Sequence, residues 1–146
     1  MKSLNESIEA GDVDRVAARL DDGAGIDAID ERTGVTPLMA AVDCQSAALV
    51  ALLLERGASI VAVDAQGQTA LHFAVASMVD ARAYDFDTCG EMREPDLRIL
   101  RMLLDAGANA SATDRTGASA WDWARHANLA EAETLLAQST QSSIAP

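Results

Sequence analysis

A recurring stop signal constrains this chain more than any other feature. Runs with apolar residues at helical spacing close on Gly23-Ala24, Gly57-Ala58 and Gly107-Ala108. A second signal precedes two of them: Gly34-Val35-Thr36-Pro37-Leu38-Met39-Ala40-Ala41 and Gly67-Gln68-Thr69-Ala70-Leu71-His72-Phe73-Ala74. Gly34 and Gly67 lie 33 residues apart, and Gly67 and Gly117 lie 50 apart. A period of this size marks stacked units, none of which buries its apolar face alone. Four units follow, at about residues 1–29, 30–62, 63–112 and 113–137, within one domain spanning 1–137. The spacing of 50 leaves the third unit with about 17 residues beyond the period, placed at Met78–Glu94. Residues 138–146 read as a polar, frayed tail.

Each unit has the chemistry of two short antiparallel helices. Thr36 before Pro37 is an N-cap followed by a proline at the first helical position, where the missing N–H costs nothing. Thr69 and Ser119 repeat the cap without the proline. Leu49, Val50, Leu52 and Leu53 carry the helical spacing of a second helix. It ends at Gly57, a residue able to take the left-handed C-cap conformation. Ala40, Ala41, Ala74 and Ala124 are small where first helices approach their neighbours. Hydrophobic residues make up 49% of the chain but aromatics only 3%, which suits close-packed helices better than a barrel or sandwich.

These residues resemble the ankyrin repeat. Gly-x-Thr-Pro-Leu-x-x-Ala-Ala stands in the second unit and Gly-x-Thr-Ala-Leu-His-x-Ala in the third. Each is followed by Leu-Leu-x-x-Gly-Ala and by an Asp, Asp64 or Asp114, that opens the next turn. The similarity spans about residues 4–137, and its departures are specific: Met39 stands where the family has His, and the fourth unit reads Trp121-Asp122-Trp123. The first unit lacks the opening turn motif, so the first and last units are expected to be caps. The resemblance implies an all-α solenoid, with turns projecting from one edge, first helices lining a concave face and second helices forming the back. It also implies binding of other macromolecules through the turn tips and the concave face. The positions matching that surface are Arg32, Thr33, Val35, Asp43 and Cys44, then Ala65, Gln66, Gln68, Ala76 and Ser77, then Arg115, Thr116, Ala118 and His126. His72 is expected to hydrogen-bond neighbouring turn backbone. Trp121 and Trp123 diverge around their helix, so at least one should join the core, with capping favoured over partner contact.

The extra segment adds Asp80, Tyr84, Asp85, Phe86 and Asp87 to the candidate contacts. Closing a loop of that length costs only about 2.5 kcal/mol, so a stack tolerates it without benefit. Yet Tyr84-Asp85-Phe86-Asp87 is not the composition of an idle linker, and long loops in small domains often carry function. Asp80, Asp85, Asp87 and Glu91 lack the spacing of a calcium loop, and no nucleophile–base pair accompanies them. With two histidines, His72 and His126, no metal site is legible, and no cofactor is expected.

Net charge is −12, which disfavours nucleic acid and anionic membranes and favours a basic protein partner or simple solubility. No stretch has the ~18 apolar residues of a membrane span, and the first residues carry no signal-peptide pattern. Cys44 and Cys89 form no disulfide framework and read as free thiols of a cytoplasmic protein. The expected function is non-enzymatic protein binding by a chain that is monomeric when free. It takes one of two forms: an inhibitor or immunity-type protein that covers a basic partner such as a toxin or nuclease, or an adaptor that positions an enzyme without inhibiting it.

Overall fold

The computed structural model describes residues 4–84 and 97–142. Among these are eight helices and no strand: α1 (Leu4–Glu9), α2 (Val13–Asp21), α3 (Pro37–Asp43), α4 (Ala47–Glu55), α5 (Ala70–Tyr84), α6 (Arg98–Asp105), α7 (Ala120–His126) and α8 (Ala130–Ser142). Odd-numbered helices pack in one layer, α1 on α3, α3 on α5 and α5 on α7. Even-numbered helices form the second layer, α2 on α4, α4 on α6 and α6 on α8. One core runs between the layers through Ile8, Val16, Leu38, Leu49, Leu53, Leu71, Leu100, Leu103, Leu129 and Leu136. Each such aliphatic side chain, fully withdrawn from water, contributes on the order of 1.5–3 kcal/mol.

The helices start and stop where side-chain chemistry dictates. Thr36 accepts from the Met39 N–H at 3.2 Å, and Ser46 accepts from the Leu49 N–H at 3.4 Å. Ser119 and Asp122 cap α7 reciprocally: each accepts the other's backbone N–H. Thr69 departs from the expected cap. Its backbone N–H and hydroxyl both turn to His72 Nδ1, at 3.1 and 3.0 Å, so the third helical residue supplies the acceptor. Second helices end as the Gly-Ala dipeptide implies. The Ala58 N–H reaches back to the Leu53 carbonyl at 2.9 Å, and Ala108 reaches Leu103 at 3.0 Å, while the glycine between takes positive φ.

The first helices use the same stop, but with a different residue. Gly11, Gln45 and Asn128 occupy equivalent places after α1, α3 and α7, all at positive φ. In the third unit that place belongs to Met78, and the helix does not stop. α5 runs for 15 residues against 7 in α3 and α7, about 12 Å of additional helix. Met78 itself is 4% exposed and belongs to the core. The extra segment expected at 78–94 therefore begins as ordinary helix, because an apolar residue favours continued packing over a left-handed turn. Asp85, Phe86 and Asp87 lie outside the described residues. At the other end α8 continues through Ser142, past the expected boundary at 137.

Candidate interaction surface

Three turns project from the stack, and each is built around an aspartate. Asp30, Asp64 and Asp114 accept, respectively, the N–H of Arg32, Gln66 and Thr116, each at 2.8 Å. The N–H of each aspartate in turn donates to the carbonyl of Val35, Gln68 or Ala118. The first turn holds one residue more, since Gly34 bonds the carbonyl four positions back, whereas Gly67 and Gly117 bond the carbonyl three back. Adjacent turns are then stitched together at their tips, with Ala65 N–H donating to Thr33 and Arg115 N–H to Gln66, both at 3.0 Å. Glycine is required where they meet. A Cβ on Gly34 would lie 2.8 Å from the Ala65 nitrogen, and one on Gly67 would lie 3.1 Å from the Arg115 nitrogen.

These turns present much of the expected surface. Arg32, Thr33, Ala65, Gln66, Arg115 and Thr116 are exposed at the tips. Val35 and Gln68 are half-buried at the bases, their backbone carbonyls occupied by the turn. Asp43 and Cys44 are exposed at the end of α3, and His126 at the end of α7. Ser77 is a different case: it is 5% exposed, and its hydroxyl donates to the Phe73 carbonyl at 2.8 Å and toward that of Val42 at 3.4 Å. The Gln45 amide donates to the Ser77 carbonyl at 2.8 Å. Ser77, expected to face the groove, is thus buried as a joint between α3 and α5. The backbone of Asp80 and Tyr84 lies in the additional helix of α5.

Electrostatics divide the surface. Arg32 and Thr33 N–H groups hold the Asp30 carboxyl below the usual aspartate range. Asp114 is held down first by the Thr116 hydroxyl, against burial, and then by the N–H groups of Ala118 and Thr116 and the Trp123 indole. Asp122 is lowered by the backbone and hydroxyl of Ser119, with His126 and Arg125 adding to it. At the groove end of α3 the sign reverses. Although Cys44 is exposed as a residue, partial desolvation pushes its thiol up, and the charges of Asp43 and Glu9 push it further. Glu9 was not among the residues expected at this surface, although it occupies on α1 the place of Asp43 on α3. The signal was available as an acidic residue at the same helical position in consecutive units.

His72 and the two tryptophans finish the fourth unit. His72 is wholly buried, and its Nε2 faces the Ala118 carbonyl at 3.0 Å. A carbonyl only accepts, so the proton sits on Nε2 and Nδ1 is left to accept from Thr69. Trp123 meets His72 edge-on, ring centroids 5.4 Å apart, and donates its indole N–H to Asp114 at 3.1 Å. Trp121 is half-buried with the Arg125 guanidinium 5.3 Å from its ring. Both rings pack against the core, as capping requires. Among the described residues no cluster of three or more His, Cys, Asp or Glu could hold a metal ion, and no helix is long and apolar enough to cross a membrane.

Two layers of short helices with aspartate-centred turns at one edge define a helical repeat stack. The family comparison agrees: ankyrin repeats (3 copies) match residues 4–84, and an ankyrin repeat matches residues 66–115. The chain belongs to the ankyrin repeat family, whose repeats are protein–protein interaction modules. Over 74 residues it is 38% identical to the B-cell lymphoma 3 protein homolog of Mus musculus, covering 51% of this chain and 16% of that protein. The crystal structure of the ankyrin repeat domain of Bcl-3, described as a unique member of the IkappaB protein family, superimposes with a TM-score of 0.66 at 28% identity. That match covers 82% of this chain and 45% of the other. The chain therefore spans about a sixth of the first relative's length and a little under half of the second's.

Proposed function

We propose that this chain binds a basic protein and inhibits it by covering the surface that partner works with. The observation that carries the reading is geometric: two exposed carboxylates, Glu9 and Asp43, stand at equivalent ends of the neighbouring helices α1 and α3. They belong to a chain of net charge −12. Two of the surface cations are engaged: Arg56 pairs with Asp21, and Arg15 with Asp12. A basic partner is steered toward such a surface from a distance, and local contacts then hold it. The contacts assigned to it are the turn tips Arg32, Thr33, Gln66, Arg115 and Thr116, the groove residue Asp43, and the continuation of α5 from Asp80 onward.

Affinity capture followed by stopped-flow binding tests this. Raising salt from about 50 to about 500 mM shortens the Debye length from roughly 14 to roughly 4 Å. The on-rate should fall about tenfold or more while the off-rate changes little. Glu9→Gln with Asp43→Asn should reproduce part of that loss at low salt. A salt-independent on-rate would assign the acidity to solubility. A partner that keeps full activity when saturated with this chain would make the chain an adaptor instead.

A further inference from the structure

The described residues include four exposed large aliphatic side chains, and three of them lie in the stems that lead into the first two turns. Ile29 is 58% exposed, Val61 72% and Val63 52%, and all precede the aspartates that open the turns. Ile29 and Val63 are equivalent, each immediately before its turn aspartate, and the two stems lie side by side. The Ser59 N–H donates to Asp27 at 2.8 Å at the base, and Ala65 N–H donates to Thr33 at 3.0 Å at the tip. Ile29 is thus held beside Val61 and Val63 between two inter-unit bonds. The next stem continues the two rows as Ser111 and Thr113, both exposed, in the places of Val61 and Val63. A single exposed valine needs no explanation, but a contiguous β-branched patch on backbone this well fixed does.

The charges around the patch select its occupant. Asp27 shares the row of Val61, and Glu31 is exposed just beyond Ile29. Of the cations on the same units, Arg56 is paired with Asp21. A second copy of the chain would bring another −12 charges to the same place and is disfavoured. We propose that the stem patch of Ile29, Val61 and Val63 seats an extended segment of the partner with alternating aliphatic residues and a flanking lysine or arginine that meets Asp27. This rests on the basic-partner reading and names the part of the partner that is gripped. Alternate side chains of an extended segment fall on one face, which matches a patch made from alternate residues of the stem.

The test is selection of a random 12-residue phage-displayed peptide library on the whole purified chain, followed by fluorescence anisotropy with the enriched peptides. Enrichment of aliphatic residues two apart with a neighbouring Lys or Arg is expected. Ile29→Thr with Val61→Ser and Val63→Ser should weaken those peptides tenfold or more, with an unchanged helical circular dichroism spectrum because the positions are exposed. Asp27→Asn should lose only the preference for the basic residue; it also removes charge from the Ser59 bond, so its melting curve is recorded alongside. Peptides that bind the triple variant as well as the parent, or a library with no binder sensitive to it, overturn the inference. If the bound peptides are instead lost on Arg32→Ala with Arg115→Ala, the stem patch is wrong but protein binding by the tips stands. Sedimentation that finds a dimer abolished by the triple variant would assign the patch to a second copy and overturn the choice of partner.

Discussion

The joint between units two and three and the joint between units three and four solve one problem differently. At the later joint a buried side chain does the coupling: His72 takes the Thr69 N–H on one nitrogen and donates to the Ala118 carbonyl with the other. Unit one has a lesser version, with the Asn5 amide reaching the Val35 carbonyl at 3.5 Å from the equivalent position. At the joint between units two and three that position is Met39, which has neither an acceptor for the Thr36 N–H nor a donor for the Gln68 carbonyl. The coupling has moved to the other end of the helix, where Gln45 donates to the Ser77 carbonyl and the Ser77 hydroxyl reaches Val42. Repeats of one architecture are thus held together at opposite ends of their first helices. A satisfied polar bridge is local, so its place can change while the stacking geometry stays.

The largest expected effect strikes the tip that both joints share in kind. Gly34→Val should cost about 3 kcal/mol or more, because it combines a positive φ with a Cβ 2.8 Å from the neighbouring backbone. Gly67→Val should cost less, its nearest neighbour being 3.1 Å away, and Gly117→Val should pay the conformational cost alone, since nothing lies within 4 Å. Urea denaturation of the three variants tests the order, and equal losses would mean that contact between turns is irrelevant.

His72→Ala should cost about 3 kcal/mol, through an emptied buried site and the lost bonds to Thr69 and Ala118. If the comparison is right, the loss should fall on the later joint, with amide exchange quickening in α7 and α8 before α3 and α4. Uniform quickening would mean that the stack responds as one body. Met39→His is the converse experiment. It offers unit two the bridge it lacks, and should raise stability by about 1 kcal/mol. Gln45→Ala should lower it by about 1 kcal/mol, and the two changes should add, because they act at opposite ends of α3. Chemical denaturation of the double variant decides this.

The smallest effect expected is on acid stability. Asp30, Asp114 and Asp122 all have folded-state values below the ordinary aspartate value. Their contribution is therefore present above the unfolded value of about 3.9 and lost as pH falls through the lower folded values. Urea midpoints should be flat from pH 7 to about 5 and should fall below about pH 4. Asp114→Asn, next to the later joint, should flatten that fall more than Asp30→Asn, because Asp114 also holds Thr116 and Trp123. Equal flattening would place the effect in the turns rather than in the joint.

Much of this molecule follows from residue types at fixed spacing. The Gly-Ala stops, the Thr36-Pro37 start and the aspartate before each turn are local signals, and the helices obey them because capping acts within four or five residues. The role of His72 was legible for the same reason: its place in the unit puts it against the next turn in any such stack. Burial of Ser77 was not legible. In a unit of standard length that residue ends a helix facing the groove, whereas here the helix continues and Ser77 is bonded to Phe73, Val42 and Gln45. The apolar patch was missed because Ile29, Val61 and Val63 lie in irregular segments, where no periodicity says which face they share. Sequence alone determined the repeat family, the Thr36 and Ser119 caps and the sign of the net charge, all set by short-range backbone chemistry and composition. Tertiary structure alone decided which groups of neighbouring units meet, since the bonds from the Ser59 N–H to the Asp27 carboxylate and from the Ala65 N–H to the Thr33 carbonyl span 32 residues each.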